Sequence, residues 1–354
     1  MVMNQKTRAS VAVVGVGYIG NAHIAAILET PGLALSAIVD PSEAGRQTAM
    51  QQGVAYFADL SELLAHAAPD AVVLATPNAL HVEQALRCAQ AGVAILLEKP
   101  VAVTAVEGQR LLAGLGGHVS RVLVGHHRAH SPIMQEATAC VTSGALGRLV
   151  CVTGSATFFK PDGYFSDAPW RSQLGAGPIL LNMIHEVHNL RMLCGEIRSV
   201  QAMVSHATRG FVVEDTAAMT FEFVNGVLGT FVLSDCAASP RSWEQTSQEN
   251  KAYTDYPQED CYVLSGTNAS LSVPTMRLHS YASDSQRSWW LPFETRTVAM
   301  TRDDPIRLQM AHFERVIRGE VPPLVGVLDG LRNLAVTEAI CEAAASGTRV
   351  VLAP

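Results

Sequence analysis

Two residues far apart in the chain stand where charge and proton chemistry can be done. Lys99 closes the apolar run Ala94-Ile95-Leu96-Leu97 within Glu98-Lys99-Pro100. An ammonium at the end of a buried strand can stabilise a developing alkoxide. His185 lies in the apolar stretch from Ile179 to Leu193, with Asn182 three residues before it and His188 three residues after. At helical spacing these three share one face, and a histidine titrates near neutrality. Such a polar stripe is expected either as a buried network satisfied by its neighbours or as the wall of a cleft. The run His185-Glu186-Val187-His188 is HExH and lacks the spacing that puts two histidines of one helix on zinc. The seven cysteines form no CxxC pair. No metal is expected.

The chemistry near Lys99 has a partner at the start of the chain. Val11-Ala12-Val13-Val14 runs into Gly15-Val16-Gly17-Tyr18-Ile19-Gly20. This is a strand, a G-x-G-x-x-G turn and a helix start. Gly15 permits the tight turn, Gly17 lets a pyrophosphate approach the backbone, and Gly20 lets helix and strand pack closely. Free N–H groups at the helix start then face the phosphates. Asp40 ends the next apolar run, 20 residues beyond Gly20. A carboxylate there accepts the ribose hydroxyls of NAD and repels a 2′-phosphate, so NAD is favoured over NADP. The competing role for Asp40 is to cap the helix that follows it.

These residues need a sheet to hold them. Apolar runs at 11–14, 33–39, 71–75, 94–97 and 119–124 alternate with helical segments at 19–30, 60–65, 81–91 and 105–115. That is the βαβ pattern of a doubly wound parallel sheet. Ligands of such sheets sit beyond the carboxyl ends of the strands. Thr76-Pro77-Asn78 and Glu98-Lys99-Pro100 follow two of them and are expected to meet the cofactor. The first domain is placed at 8–127 and the second at 128–354.

The second domain opens on His126, His127, Arg128 and His130 within five residues. A helix over 132–142 is followed by strands at 148–158, 197–206, 215–225, 227–234 and 261–266. Asn225-Gly226 marks a hairpin turn. The expected architecture is a large, mostly antiparallel open sheet with one covered face. Residues 239–258 are polar and aperiodic, which predicts a long surface or active-site loop. Arg307–Arg318 and Val327–Ala345 read as closing helices. Arg128, Lys160 and Arg171 can recognise a carboxylate or several hydroxyls. Trp170 and Tyr164 are candidate pocket walls or domain packing.

The chain has 354 residues, 48% hydrophobic and only 16% charged, with a formal net charge of -7. That is ample for two packed domains. Without a lysine-arginine block it is not a duplex nucleic-acid binder. Scattered, unpaired cysteines fit a reducing, cytoplasmic compartment. Met1 to Ser10 is polar and reads as no signal peptide. No apolar run is long enough to span a membrane.

The motifs together resemble the glucose–fructose oxidoreductase and inositol 2-dehydrogenase family (Gfo/Idh/MocA). The resemblance rests on Gly15 to Gly20, Ala75-Thr76-Pro77-Asn78 with His81, Glu98-Lys99-Pro100, Gly125-His126-His127-Arg128, and Gly175-Ala176-Gly177 followed by His185. It implies an N-terminal Rossmann domain and a C-terminal α/β domain whose open sheet commonly forms the subunit interface, hence a homodimer or homotetramer. It implies Lys99 near nicotinamide and substrate, and His185 as the proton-transferring residue. Tyr18, Ile19, Thr76, Pro77, Asn78, His81 and Glu98 fall on the cofactor side. His126, Arg128, Lys160, Trp170, Arg171, Asn182 and His188 fall on the substrate side. Many members carry aspartate four residues before and three after the histidine; here those positions are Leu181 and His188. The implied reaction moves hydride between nicotinamide and a small polyhydroxylated or carboxylated substrate. Reduction of a carbonyl or imine, transient oxidation with tightly held NAD, and a non-catalytic nucleotide-binding scaffold remain alternatives.

Overall fold

A computed structural model describes residues 8–353; most of the segment expected to be free of a signal peptide lies outside them. The chain divides into two compact units. The first contains residues 8–130 and 305–334, and the second contains 131–304 and 335–353.

In the first unit six parallel strands form one sheet: β1 (Ala9–Val14), β2 (Leu33–Val39), β3 (Ala55–Phe57), β4 (Ala71–Leu74), β5 (Ala94–Leu97) and β6 (Val122–Val124). Their order is β3-β2-β1-β4-β5-β6. Helices α1 (Tyr18–Glu29), α2 (Glu43–Gln52), α3 (Leu60–Ala67), α4 (His81–Gln90) and α5 (Ala105–Leu115) make the crossovers. Every residue of β4 and β5 is buried. Burial on both faces is why these strands are unbroken apolar runs. Strand order reverses between β1 and β4, which pair Val11 with Ala71 and Val14 with Leu74. The loops after β1 and β4 therefore flank the crevice where such sheets bind dinucleotides.

The segment 305–334, which carries one helix and the first part of the next, departs from the expected division at 127/128. Helix α10 (Pro305–Ile317) belongs to the first unit. Its Met310, Phe313 and Val316 join Ile24, Ile27 and Leu33 in that core. An apolar helix face shows that it must be buried, but not in which of two cores.

The second unit is built on a ten-stranded sheet. Its elements are α6 (Pro132–Thr142), β7 (Leu149–Phe159), α7 (Asp162–Ser166), α8 (Ile184–Cys194), β8 (Ile197–Ser205), β9 (Thr216–Phe223), β10 (Leu228–Ser234), β11 (Cys236–Arg241), α9 (Trp243–Thr246), β12 (Tyr262–Gly266), β13 (Ala269–Val273), β14 (Arg277–Ser280), β15 (Glu294–Thr297) and β16 (Val350–Val351). The order is β15-β14-β13-β12-β7-β10-β9-β8-β16, with β11 also on β7. The ladder is antiparallel except between β7 and β10. One face is sealed by α8 and the second half of helix α11 (Val327–Ser346), through Val187, Leu190, Val336 and Ile340 packed with Phe221, Phe231 and Tyr262. Alternation along β10 leaves Leu228, Thr230 and Val232 on the other face.

The stretch at 239–258 is not a plain surface loop. It contains the end of β11 and the turn α9, and it buries Trp243, Thr246 and Glu249. The Trp243 indole and the Ser131 hydroxyl both donate to the Glu249 carboxylate. Paired polar side chains carry this burial, so no apolar period announced it.

Candidate active site

The nucleotide loop is fixed by close packing. Gly15 has φ +91°, and a Cβ there would lie 2.6 Å from the Ala75 carbonyl oxygen. A Cβ on Gly20 would lie 2.0 Å from the Gly15 carbonyl oxygen. Gly17 differs: nothing stands within 4 Å of where its Cβ would be. Gly17 is also the N-cap of α1 and gives it no side-chain cap. The first N–H groups of α1 therefore open on free space beside Tyr18, which is 79% exposed, while Ile19 is half-buried. This is the cradle that a pyrophosphate requires.

Asp40 stands at the end of β2. Its carboxylate accepts from the Val16 amide at 3.0 Å and from the Ser42 amide at 2.9 Å. Burial raises its pKa, but the bonds from Ser42 and Val16 outweigh this and hold it below the usual carboxylate value. The carboxylate form of Asp40 is thus favoured, and through the Val16 amide it is tied to the glycine loop. Helix α2 is capped by Ser42, so Asp40 is not needed for that task. Replacing Asp40 with alanine is expected to weaken NAD binding by about 10- to 100-fold, from loss of charge-assisted hydrogen bonds. NADP should lose less, narrowing the preference; titration calorimetry with both nucleotides checks it.

The loops after β4 and β5 are tied together by His81. Its Nδ1 lies 2.7 Å from the Pro100 carbonyl and its Nε2 lies 2.9 Å from that of Thr76. Burial lowers its pKa, and the two carbonyls pull it partly back. The Thr76 hydroxyl donates to Gln84, while Pro77 and Asn78 are exposed. His81 therefore holds the loops after β4 and β5 together through buried contacts.

Glu98 has the same supporting place. It is buried, and its carboxylate takes His23 Nε2 at 2.7 Å and the Lys99 amide at 3.2 Å. A Cβ on Gly125 would meet that carboxylate at 2.7 Å. Burial opposes the charge, but His23, Lys99 and His127 hold the pKa below its ordinary value. A carboxyl with a depressed folded pKa contributes stability above the unfolded pKa and loses it as pH falls through the folded value. His23→Ala should cost about 3 kcal/mol at neutral pH by leaving a buried carboxylate without its partner. The deficit should shrink as pH falls from the ordinary glutamate pKa through the lowered folded value, which denaturant melts across pH read directly. Lys99 follows, half-buried at the end of β5, with a cis bond to Pro100.

Of the basic cluster, His126 and Arg128 are buried in the first unit, at 1% and 4% exposure. The Asn333 amide donates to His126 Nε2 at 3.0 Å.

In the second unit the expected substrate residues gather at the end of β7. The Lys160 ammonium donates to Asn182 Oδ1 at 2.8 Å and lies 3.5 Å from Asp235. It also stands 4.8 Å from the Tyr164 ring centre. Arg171 stacks on the same ring at 3.9 Å and reaches Trp170, which is 57% exposed, at 5.8 Å. Asn182 and His185 are half-buried and His188 is buried. The helix expected from 179 to 193 begins as a π turn, Ile179–Met183, before α8. Such turns re-aim side chains and are frequent at functional sites. Glu214 caps this start by accepting from the Ile179 amide at 2.8 Å.

Sequence reasoning missed Asp235, Arg209 and Glu214. Asp235 follows β10, whose parallel pairing sets Ser234 against Thr157 near the end of β7. That long-range pairing brings Asp235 to Lys160, and no local spacing carries it. Among the described residues no group of three or more His, Cys, Asp or Glu side chains is placed to share a metal ion, and no helix is long and apolar enough to cross a membrane.

A nucleotide-binding doubly wound sheet followed by a substrate-type α/β unit defines an NAD-dependent oxidoreductase. The chain belongs to the Gfo/Idh/MocA family: residues 9–126 match the model of the oxidoreductase family's NAD-binding Rossmann fold and residues 134–272 match that of its C-terminal domain. It is similar to the 1,5-anhydro-D-fructose reductase of Ensifer adhaerens, at 25% identity over 92% of each chain. It resembles inositol 2-dehydrogenase 1 of Saccharopolyspora erythraea at 33% identity, over 45% of this chain and 50% of that one. In fold it matches the WlbA dehydrogenase of Bordetella pertussis, solved with NADH and UDP-GlcNAcA, with a TM-score of 0.78 and 24% identity over 98% and 99% of the two chains.

Proposed function

We propose that the protein transfers hydride between nicotinamide and a secondary alcohol or ketone of a small polyhydroxylated or carboxylated, sugar-like substrate. The observation that carries this reading is Lys99 at the carboxyl end of β5, in the sheet that holds the Gly15–Gly20 cradle and Asp40. Curated relatives named for anhydrofructose and inositol support the substrate class.

The cofactor supplies the hydride acceptor and donor. The cradle and Asp40 hold it, with the loops at Thr76–Asn78 and Glu98–Lys99 alongside and His81 beneath. The Lys99 ammonium stabilises negative charge on the substrate oxygen as the C–H bond breaks. His185 takes the hydroxyl proton in oxidation and returns it in reduction. Lys160, Trp170, Arg171, Asn182 and His188 orient the substrate, and three cations among and beside them favour hydroxyl-rich or carboxylated ligands. His126 and Arg128, buried as they are, support this end of the first unit.

A panel of sugars, sugar acids, inositols and cyclic diols, read by NADH and NADPH absorbance, tests the proposal. NAD-linked turnover of at least one member is expected. Turnover of neutral polyols as efficient as that of acids would remove the carboxylate from the reading. We further propose a homodimer or homotetramer formed through the outer face of the ten-stranded sheet. The row Met203, Ala218, Val232 and Ser155 on that face carries no charge, and light scattering on a sizing column would contradict the assembly by returning a monomer.

A further inference from the structure

The chain holds only four lysines, Lys6, Lys99, Lys160 and Lys251, and Lys160 is 9% exposed. A buried ammonium needs acceptors and a counter-charge. Asn182 Oδ1, at 2.8 Å, supplies one acceptor. Asp235 is the nearest carboxylate, at 3.5 Å, too long for a good hydrogen bond. It is also already engaged: Arg209 Nε donates to its Oδ1 at 2.8 Å, and Arg209 Nη2 donates to the Lys160 carbonyl at 2.8 Å. One buried carboxylate therefore serves two buried cations.

The other groups around this amine do not restore the balance. Arg171, on the turn after α7, adds a third positive charge across the Tyr164 ring. Asp162 stands 3.9 Å from Arg209 but is fully exposed, so water screens it. Asp215 takes the amides of Thr208 and Arg209. The Phe158 ring centre lies 5.7 Å from the amine. Burial above all, with Arg209 and Arg171 adding and Asp235 opposing, brings the Lys160 pKa down to about 8. Both of its forms are then present under working conditions, unlike those of an ordinary lysine at about 10.4. Its partner Asn182 lies in the π turn that leads into α8, three residues before His185.

We propose that Lys160 is a second proton-transferring group behind His185, its neutral amine receiving through the imidazole the proton that the alcohol's hydroxyl gives up as hydride leaves the same carbon for nicotinamide. This rests on the dehydrogenase reading above. Alcohol, NAD⁺ and amine become ketone, NADH and ammonium, with His185 passing the proton on and ending neutral; in reduction the ammonium returns the proton through His185 to the oxygen. Oxidation then rises as pH climbs through the amine's pKa, and reduction falls over the same range.

Two measurements test this. Protein labelled with ¹³Cε-lysine gives a small set of signals, and the one lost in Lys160→Arg identifies the amine. A midpoint near 8 is expected; one near the ordinary lysine value overturns the proposal. The second measurement is kcat against pH for the best substrate of the panel. Lys160→Arg, which keeps the charge but cannot release its proton, and Lys160→Gln should both lose about 10²- to 10³-fold in kcat and the limb near 8, with a smaller change in KM. Wild-type rates and an unchanged limb in either folded variant overturn it. No turnover by the wild type on any panel member is the failure of the dehydrogenase reading, and the labelled-lysine titration, which needs no substrate, tells the two apart.

Discussion

Lys99→Ala should reduce kcat by about 10²- to 10³-fold while leaving NAD affinity within a few-fold of wild type. The size follows from the role: a preorganised cation facing a developing oxyanion is worth roughly 3–4 kcal/mol where water is excluded, and it acts in the transition state more than in binding. In the proposed arrangement the nucleotide is held chiefly by the α1 N-terminus and Asp40. Lys99→Arg should rescue little, because a guanidinium does not present its charge as a compact point. Steady-state kinetics with nucleotide fluorescence titration separates the two effects. A rise in KM with unchanged kcat would place Lys99 in ground-state binding only. Melting temperature serves as the control, since Lys99 is half-buried and is not part of the apolar core.

Gly20→Ala should abolish useful NAD binding and destabilise the first unit by about 1–3 kcal/mol. The added Cβ would sit 2.0 Å from the Gly15 carbonyl, so turn and helix must separate. Gly15 has little room to yield, because it packs close to the Ala75 backbone and its amide donates to the Val39 carbonyl at 2.8 Å. The strain therefore spreads to the β1–β4 crevice itself. Gly17→Ala is the contrast. Open space surrounds its Cβ position, so the apo fold should melt as wild type while nucleotide binding falls. Equal melting losses in both variants would mean that Gly17 is packed in the same way as Gly20.

This contrast shows how far the residues could be read in advance. The glycine turn, Asp40 and the EKP lysine were legible because each depends on local geometry: a strand end, a tight turn and a helix start. The strands around them were legible because burial on both faces demands unbroken apolar runs, as in Ala71–Leu74. Lys160 was legible only as a basic residue at a strand end. Its partner Asp235 arrives through the parallel β7–β10 pairing, 75 positions later in the chain. The placing of α10 with the first core and the buried polar contacts of Glu249 were hidden for the same reason, since distant partners decide them. The π turn at Ile179–Met183 has no evident signal in its sequence; the structure contains it, and Asn182 reaches Lys160 from it.

The central proposal is hydride transfer with NAD that depends on both Lys99 and His185. The most direct measurement is transfer of deuterium from a C-deuterated panel substrate to the nicotinamide ring, followed by mass spectrometry of the nucleotide in wild type, Lys99→Ala and His185→Ala. Label should appear in wild-type NADH and fall by at least about 100-fold in both variants. Label transfer at wild-type rates in both variants, or substrate conversion with no label entering the nucleotide, would contradict the account.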